Sequence, residues 1–278
     1  MTMTQSNLYE KQWCSSTPGL LMFLIDQNVD DQQQPLRVAD IINVIIGRII
    51  DLHCEGYVLR SNCYISVIGY NNNARHLFSG GLIDFHDNPL RFEIIKKRVP
   101  DGAGGFCEVE VKQPVWVEPS TQDGETNMLG ALQLAKDLVG KWITDNPDGP
   151  APVIINISDG VPFYDGKNPR ECMKECQRLA KDIMKLSCTD GNICLYNATL
   201  KSSNLALENN LLHIEIEKFI CSISSLTPSI IMENFNCAGL ELPSTMNDGY
   251  IYTEHIAELF EFIYIIQDEI FCRYAKDK

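Results

Sequence analysis

The stretch "GLLMFLIDQNVDD" (Gly19 to Asp31) restricts the possible folds more than any other part of the chain. Leu20 to Ile25 is an unbroken apolar run of strand length, with no polar residue at alternate positions. Such a strand must be covered on both faces, as in a parallel sheet flanked by helices. The run stops at Asp26, and Gln27, Asn28, Asp30 and Asp31 follow before a long apolar helix pattern begins. A buried strand therefore delivers three carboxylates and two amides to the turn between strand and helix.

The rest of the chain repeats the alternation. Pro35 fits the first turn of a helix reaching about His53. Asn62 to Asn71 is a second strand, and Ala74 to Phe85 reads as its antiparallel neighbour after an Asn-rich turn. Phe92 to Pro119, with Gly102, Gly104 and Gly105 at its centre, reads as a hairpin-like insertion over about residues 86–120. Thr126 to Ile143 is an amphipathic helix. Ala151 to Gly160 is a strand ending at Asp159, and Asn168 to Cys188 is a helix. "GNICLYNATL" and "PSIIMENF" are further strands, and Thr253 to Ala275 is a closing helix. Lys201 to Ser225 is ambiguous, since "LHIEIEKF" alternates like a strand and can equally open a helix.

The pattern predicts a doubly wound α/β fold: a mainly parallel central sheet with one antiparallel edge strand and helices on both faces. A single domain over residues 18–278 after a tail at 1–17 fits the length. In such sheets ligands bind beyond the carboxyl ends of the strands, so Asp26 and Asp159 are expected on one rim. Taken singly, each polar residue has an ordinary role. Asp26 can end a strand. Asn28, Asp30 and Asp31 can form a turn or cap. Thr126 is placed as a helix N-cap, and Asp159-Gly160 is a turn dipeptide. Together, several carboxylates at one edge repel one another and must protonate or hold a cation. Oxygen ligands select a hard ion, Mg²⁺ first, with Mn²⁺ or Ca²⁺ as alternatives.

Other function classes recede. A net charge of −14 opposes nucleic-acid binding. The 11 cysteines have no regular spacing, and the polar opening "MTMTQSNLYEKQW" has no signal character, which predicts a reducing, cytoplasmic setting. No run is long enough to span a membrane. Cys172 and Cys176 read as the packed face of a helix, because no second Cys or His pair lies near them. The sequons at Asn156 and Asn197 fall in expected buried strands and are discounted. His53, His76, His86, His213 and His255 are scattered. No catalytic triad, reactive Cys-His pair or phosphate loop is present, and "GAGG" (Gly102 to Gly105) is a turn within the hairpin.

The order of the pieces resembles the metal-ion-dependent adhesion site of von Willebrand factor type A (VWA) domains. An apolar strand leads into Asp26-Gln27-Asn28-Val29-Asp30, then Thr126 stands in "GETNMLGAL", then Asp159 in "INISDG". "VIGYN", "NPLRFEIIKKRVPDGAGGF", "PVWVEP" and "DGNICLYNATL" are similar to a family of stand-alone bacterial VWA proteins, from about Gly19 onward. Members of that family tend to be encoded beside a serine/threonine kinase and a PP2C-type phosphatase, in stress modules of the tellurite-resistance kind. The resemblance implies a non-catalytic protein-interaction module whose metal is held by Asp26, Asn28, Asp30, Thr126 and Asp159. It also implies a protein partner, such as that kinase or phosphatase, which offers an acidic side chain to the open metal position.

The chain departs from the family pattern at two positions. Asn28 and Asp30 stand where the family has serines. Both supply good oxygen ligands, but a directly bound Asp30 would neutralise part of the metal's charge and weaken capture of an acidic partner. Two readings of the rim stay open: a metal site of altered chemistry, or a rim that has lost its metal and kept its interaction surface. A second class is a Mg²⁺-dependent hydrolase of the haloacid-dehalogenase type with Asp26 as nucleophile. That chemistry asks for an acid/base carboxylate where Asn28 stands, and an amide cannot transfer the proton.

Overall fold

The computed structural model describes residues 8–27, 38–55, 58–59, 61–102, 104–120, 124–158, 160–200, 210–228 and 247–272. In chain order its elements begin with β1 (Gly19–Asp26), α1 (Val38–Leu52), β2 (Cys54–Glu55), β3 (Val58–Leu59), β4 (Cys63–Tyr70) and β5 (Ala74–Gly81). Then come α2 (Leu82–Asp87), β6 (Arg91–Pro100), β7 (Phe106–Val115), α3 (Met128–Asp145), β8 (Val153–Ser158) and α4 (Pro169–Ile183). The chain continues with β9 (Ser187–Cys188), β10 (Gly191–Asn192), β11 (Cys194–Leu200), α5 (Asn210–Ser222), β12 (Tyr250–Thr253) and α6 (Ile256–Cys272).

The unbroken apolar run forms the middle of the sheet. β1 is buried along its whole length and pairs in parallel with β4 on one side and β8 on the other. The six-stranded order is β12-β11-β8-β1-β4-β5, and β5 alone runs antiparallel, at the edge. This is a doubly wound α/β sheet. The chain builds outward from β1 through β4 to β5, then returns to the far side of β1 and builds outward again. The order reverses between β1 and β8, so the crevice beyond their carboxyl ends is the topological switch point, where ligands of such sheets bind.

Alternate residues of β1 supply two cores. Leu21, Phe23 and Ile25 pack with Ile41, Ile42, Ile45, Ile46 and Ile49 of α1 and with Leu259, Phe262 and Ile263 of α6. Leu20, Met22 and Leu24 pack with α3, α4 and α5 on the opposite face. Cys172 and Cys176 lie fully buried in that second core, as expected of an i, i+4 pair on a packed helix face. The sequon residues Asn156 and Asn197 are also fully buried. β6 and β7 form a separate two-stranded ribbon, the hairpin read from the sequence. Residues 8–17 lie against the domain, and Trp13 is wholly buried in the first core.

Several expectations need correction. The strand read over Ala74 to Phe85 stops at Gly81, and a helix of six residues follows. The Asp84 carboxylate accepts from the Gly81 N–H at 2.8 Å and so fixes the first turn of that helix. Thr126 is not the N-cap of α3. Asn127 is, its Oδ1 accepting from the Gly130 N–H at 2.9 Å. The helix read over Asn168 to Cys188 ends at Ile183, and a short hairpin of β9 and β10 follows. "LHIEIEKF" is helical, within α5. The closing helix begins at Ile256, because Tyr250–Thr253 is the last strand of the sheet. Pro35 and all of "PSIIMENF" after Pro228 lie outside the described residues. Among the described residues, no helix is long and apolar enough to cross a membrane.

Candidate functional site

The rim is assembled from the strand ends outward. Asp26 closes β1 opposite Tyr70 and is only 4% exposed. The ladder runs one step further, since the Gln27 N–H donates to the Tyr70 carbonyl at 2.8 Å. The Gln27 side chain then turns outward, its Nε2 donating to the Glu118 carbonyl at 3.1 Å. Strand parity puts Asp26 on the same face as Leu24, the face covered by α3, α4 and α5.

Thr126 is held at the same end by backbone bonds to two different strand exits. Its N–H donates to the Phe163 carbonyl at 2.6 Å, and the Phe163 N–H returns to the Thr126 carbonyl at 3.1 Å. Phe163 lies just beyond β8. The next residue, Asn127, donates its N–H to the Asn71 carbonyl at 2.8 Å, just beyond β4. Thr126 is therefore pinned between the exits of β4 and β8, with β1 between them in the sheet, and is 6% exposed. It is a buried residue held at the rim by its backbone rather than a cap.

The exit of β8 requires a glycine. Gly160 has φ +94°, and a Cβ there would sit 2.8 Å from Thr199 Cγ2. Its N–H donates to Ser158 Oγ at 3.1 Å. The glycine is thus set by close passage over β11 as well as by its positive φ.

The sequence reading missed the polar row on the inner side of this rim. Ser158 follows the Ile25–Ile157 pair by one step in register, which puts it beside Asp26, and Thr199 pairs with Ser158. Both are buried, at 1% and 0% exposure. One layer below, Tyr70 donates its hydroxyl to Asn156 Oδ1 at 2.9 Å, and Asn156 Nδ2 donates to Asn197 Oδ1 at 2.9 Å. Asn197 Nδ2 in turn donates to Ser224 Oγ at 2.9 Å. The available signal was parity: Asp26, Asn156, Ser158, Asn197 and Thr199 all fall on the strand positions that face α3, α4 and α5.

Of the five expected metal ligands, Asp26 and Thr126 come to the same rim. Asn28, Asp30 and Asp159 lie outside the described residues, as does Asp31. A buried carboxylate and a buried hydroxyl are donors that a hard divalent cation takes. Among the described residues, no group of three or more His, Cys, Asp or Glu side chains gathers to hold an ion.

No family model and no curated protein matches the chain. Several solved structures are similar to it. Manganese-loaded TRAP protein from Plasmodium vivax is 12% identical, with a TM-score of 0.43 over 92% of this chain and 74% of that one. The conserved hypothetical protein BatB from Bacteroides thetaiotaomicron is 10% identical, with a TM-score of 0.44 over 90% and 98%. Proximal thread matrix protein 1 from the mussel byssus, with a zinc-occupied MIDAS motif, is 11% identical, with a TM-score of 0.45 over 95% and 47%. Likenesses at these scores carry no weight for function, and the fold rests on the strand order itself.

Proposed function

We propose that this protein is a non-catalytic interaction module of the VWA type. Its rim at the β1–β8 switch point takes a divalent cation, Mg²⁺ first, through Asp26, Asn28, Asp30, Thr126 and Asp159. The observation that supports this most is the placement at one rim of buried Asp26, at the end of the central strand, and of Thr126, tied to the exits of both flanking strands. A bound ion would supply an electrophilic position for an acidic side chain of a partner protein. Asp26 and Thr126 would orient it, and the buried Ser158–Thr199 row behind them would limit water. The order of motifs further supports a cytoplasmic scaffold that brings together a kinase and a PP2C-type phosphatase in a bacterial stress response.

Calorimetry with Mg²⁺ and Mn²⁺ tests the site. One equivalent is expected in the native protein, none in Asp26→Asn, and weaker binding in Thr126→Ala. Binding unchanged in Asp26→Asn would refute the ligand set. With Mg²⁺ present, Asn28→Ser with Asp30→Ser is expected to bind a Glu-bearing peptide more tightly than the native protein, since the ion then keeps more of its charge. Turnover of a phosphomonoester that vanishes in Asp26→Asn would instead establish the hydrolase.

A further inference from the structure

β6 and β7 have ten residues each and form a ribbon about 34 Å long, at roughly 3.4 Å per residue. Its base is tied to the domain through Asn43 of α1 and the buried Val115 and Trp116. Among the described residues no third strand pairs with either edge. A two-stranded hairpin is marginal in water on its own, yet this one leaves Phe92, Ile94 and Phe106 exposed by 60%, 67% and 65%. The acidity of the chain also lapses here. Residues 91–115 hold five Lys and Arg against four Asp and Glu, in a chain of net charge −14. The ribbon is therefore a place where two acidic bodies can meet without strong repulsion.

The register fixes which groups point outward. The Asp101 N–H donates to the Gly105 carbonyl at 3.0 Å, one step beyond the Pro100–Phe106 pair. Bonded positions alternate along an antiparallel pair. Val109, Val111 and Gln113 therefore bond to β6, while Phe106, Glu108, Glu110 and Lys112 turn their N–H and C=O groups to the open edge. Side chains follow the same parity. Phe92, Ile94 and Phe106 share one face, and Ile95, Val109 and Val111 share the other.

We infer that a second copy of this chain pairs with that edge, β7 to β7 and antiparallel, about a twofold axis at Glu110. The product is a four-stranded sheet in the order β6-β7-β7-β6. On one face Phe106 meets Pro114 of the second copy, whose cross-strand neighbour is Phe92, so the exposed rings cover one another. In the next row Glu108 meets Lys112, twice by symmetry, an opposite-charge pair of the kind that stabilises sheets. On the axis Glu110 meets its own copy, and each carboxylate has Lys96 on its other side. On the opposite face Val109 meets Val111, and with Ile95 from each chain they form a continuous apolar stripe of six residues. The edge of β6 has no such match. Self-pairing centred on Lys96 or Lys97 sets Lys96 against Lys96 or Arg98, and Pro100 offers no donor. The inference is independent of the proposed metal rim, so its test is run in EDTA.

Sedimentation velocity on the whole chain gives the association. A reversible dimer is expected, with a Kd of roughly 10–100 µM, the weak range of a small interface. Lys112→Glu sets a carboxylate against Glu108 of the second copy and is expected to weaken the dimer about tenfold, the effect of 1.4 kcal/mol. Circular dichroism checks that this exposed substitution leaves the fold intact. Gln113→Cys places a thiol opposite Cys107 of the second copy. Non-hydrogen-bonded neighbours there stand about 4.5 Å apart between Cα atoms, within the span of a disulfide. Oxidised glutathione is expected to link that variant into a dimer, with peptide mapping joining Cys107 to position 113, and to leave the native protein unlinked. A native protein still monomeric at roughly 1 mM overturns the inference. So does a Lys112→Glu variant that dimerises as well as the native chain, or a link from position 113 to any cysteine but Cys107. Species that grow without limit would mean open β6-to-β7 pairing instead, and would also overturn it.

Discussion

Asn43 interrupts the apolar helix α1, and its replacement by alanine tests how α1 holds the exposed ribbon of β6 and β7. Asn43 is 4% exposed, and its Oδ1 accepts from two consecutive backbone N–H groups, Trp116 at 2.8 Å and Val117 at 3.0 Å. Its Nδ2 donates to the Val117 carbonyl at 2.8 Å. One side chain therefore satisfies three backbone groups just after β7, and Trp116 and Val117 are themselves buried. Asn43→Ala strands two donors and one acceptor away from water. Each stranded group costs about 1–3 kcal/mol, and with partial relaxation the total expected loss is about 4 kcal/mol. Val44→Ala, on the exposed side of the same helix, is the control, expected to change stability by no more than about 0.5 kcal/mol. Urea unfolding followed by circular dichroism gives the totals, and amide exchange at Trp116 and Val117 gives the location. A loss below about 1 kcal/mol, with both amides still protected, would mean that another acceptor takes over, and the anchoring role would be refuted.

Gly19→Ala is expected to cost about 1–3 kcal/mol and to shift tryptophan emission to the red, because a Cβ at Gly19 collides with the buried Trp13 ring. Unchanged emission would show that the N-terminal segment repacks at no cost. Asn197→Ala removes the donor to Ser224 Oγ and the acceptor for Asn156 Nδ2, with an expected loss of about 2–4 kcal/mol in thermal unfolding. Tyr70→Phe removes one bond of the same chain and is expected to lose less. Cys14 Sγ lies 3.1 Å from Ser16 Oγ and 3.0 Å from Thr17 Oγ1, and the hydroxyls, by donating to the thiolate once it forms, lower its pKa to about 7. Iodoacetamide labelling of Cys14 is expected to rise with pH around that value, and Ser16→Ala to move the rise to higher pH. Cys63, wholly buried and with its pKa pushed far up by desolvation, is expected to stay unlabelled across the same range.

The parts of the fold that were legible from sequence are those where one physical pattern acts alone. β1 is buried on both faces, so its apolar run has no interruptions to misread. The ribbon of β6 and β7 announced itself through clustered glycines, two of which adopt positive φ. Patterns in competition hid the rest. "LHIEIEKF" alternates like a strand, yet Ile216, Phe219, Ile220 and Ile223 carry the burial at helical spacing and α5 follows them. Tyr250–Thr253 is only four residues long, too short to show a period of its own, and its last residue reads as the start of the closing helix. At the candidate site, Asp26 was marked by the sharp end of an apolar run. Ser158 and Thr199 were overlooked because a lone hydroxyl inside a strand reads as neutral, and only pairing across the sheet brings Ser158 beside Asp26 and Thr199 beside Ser158.

The position of β1 at the centre of the sheet carries a cost during synthesis. The strand is made early and takes its first partner, β4, from the chain made soon after it, with β5 adding on the far side of β4, so three neighbouring strands can zip together while the ribosome is still working. Its other edge waits for β8, which is not complete until Ser158 has emerged. Throughout that interval the apolar central strand shows a bare row of N–H and C=O groups, a template for another chain's strand. A nascent chain halted shortly after α3 would hold half a sheet with its stickiest edge outward. Such a fragment is expected to depend on chaperones far more than the finished protein does.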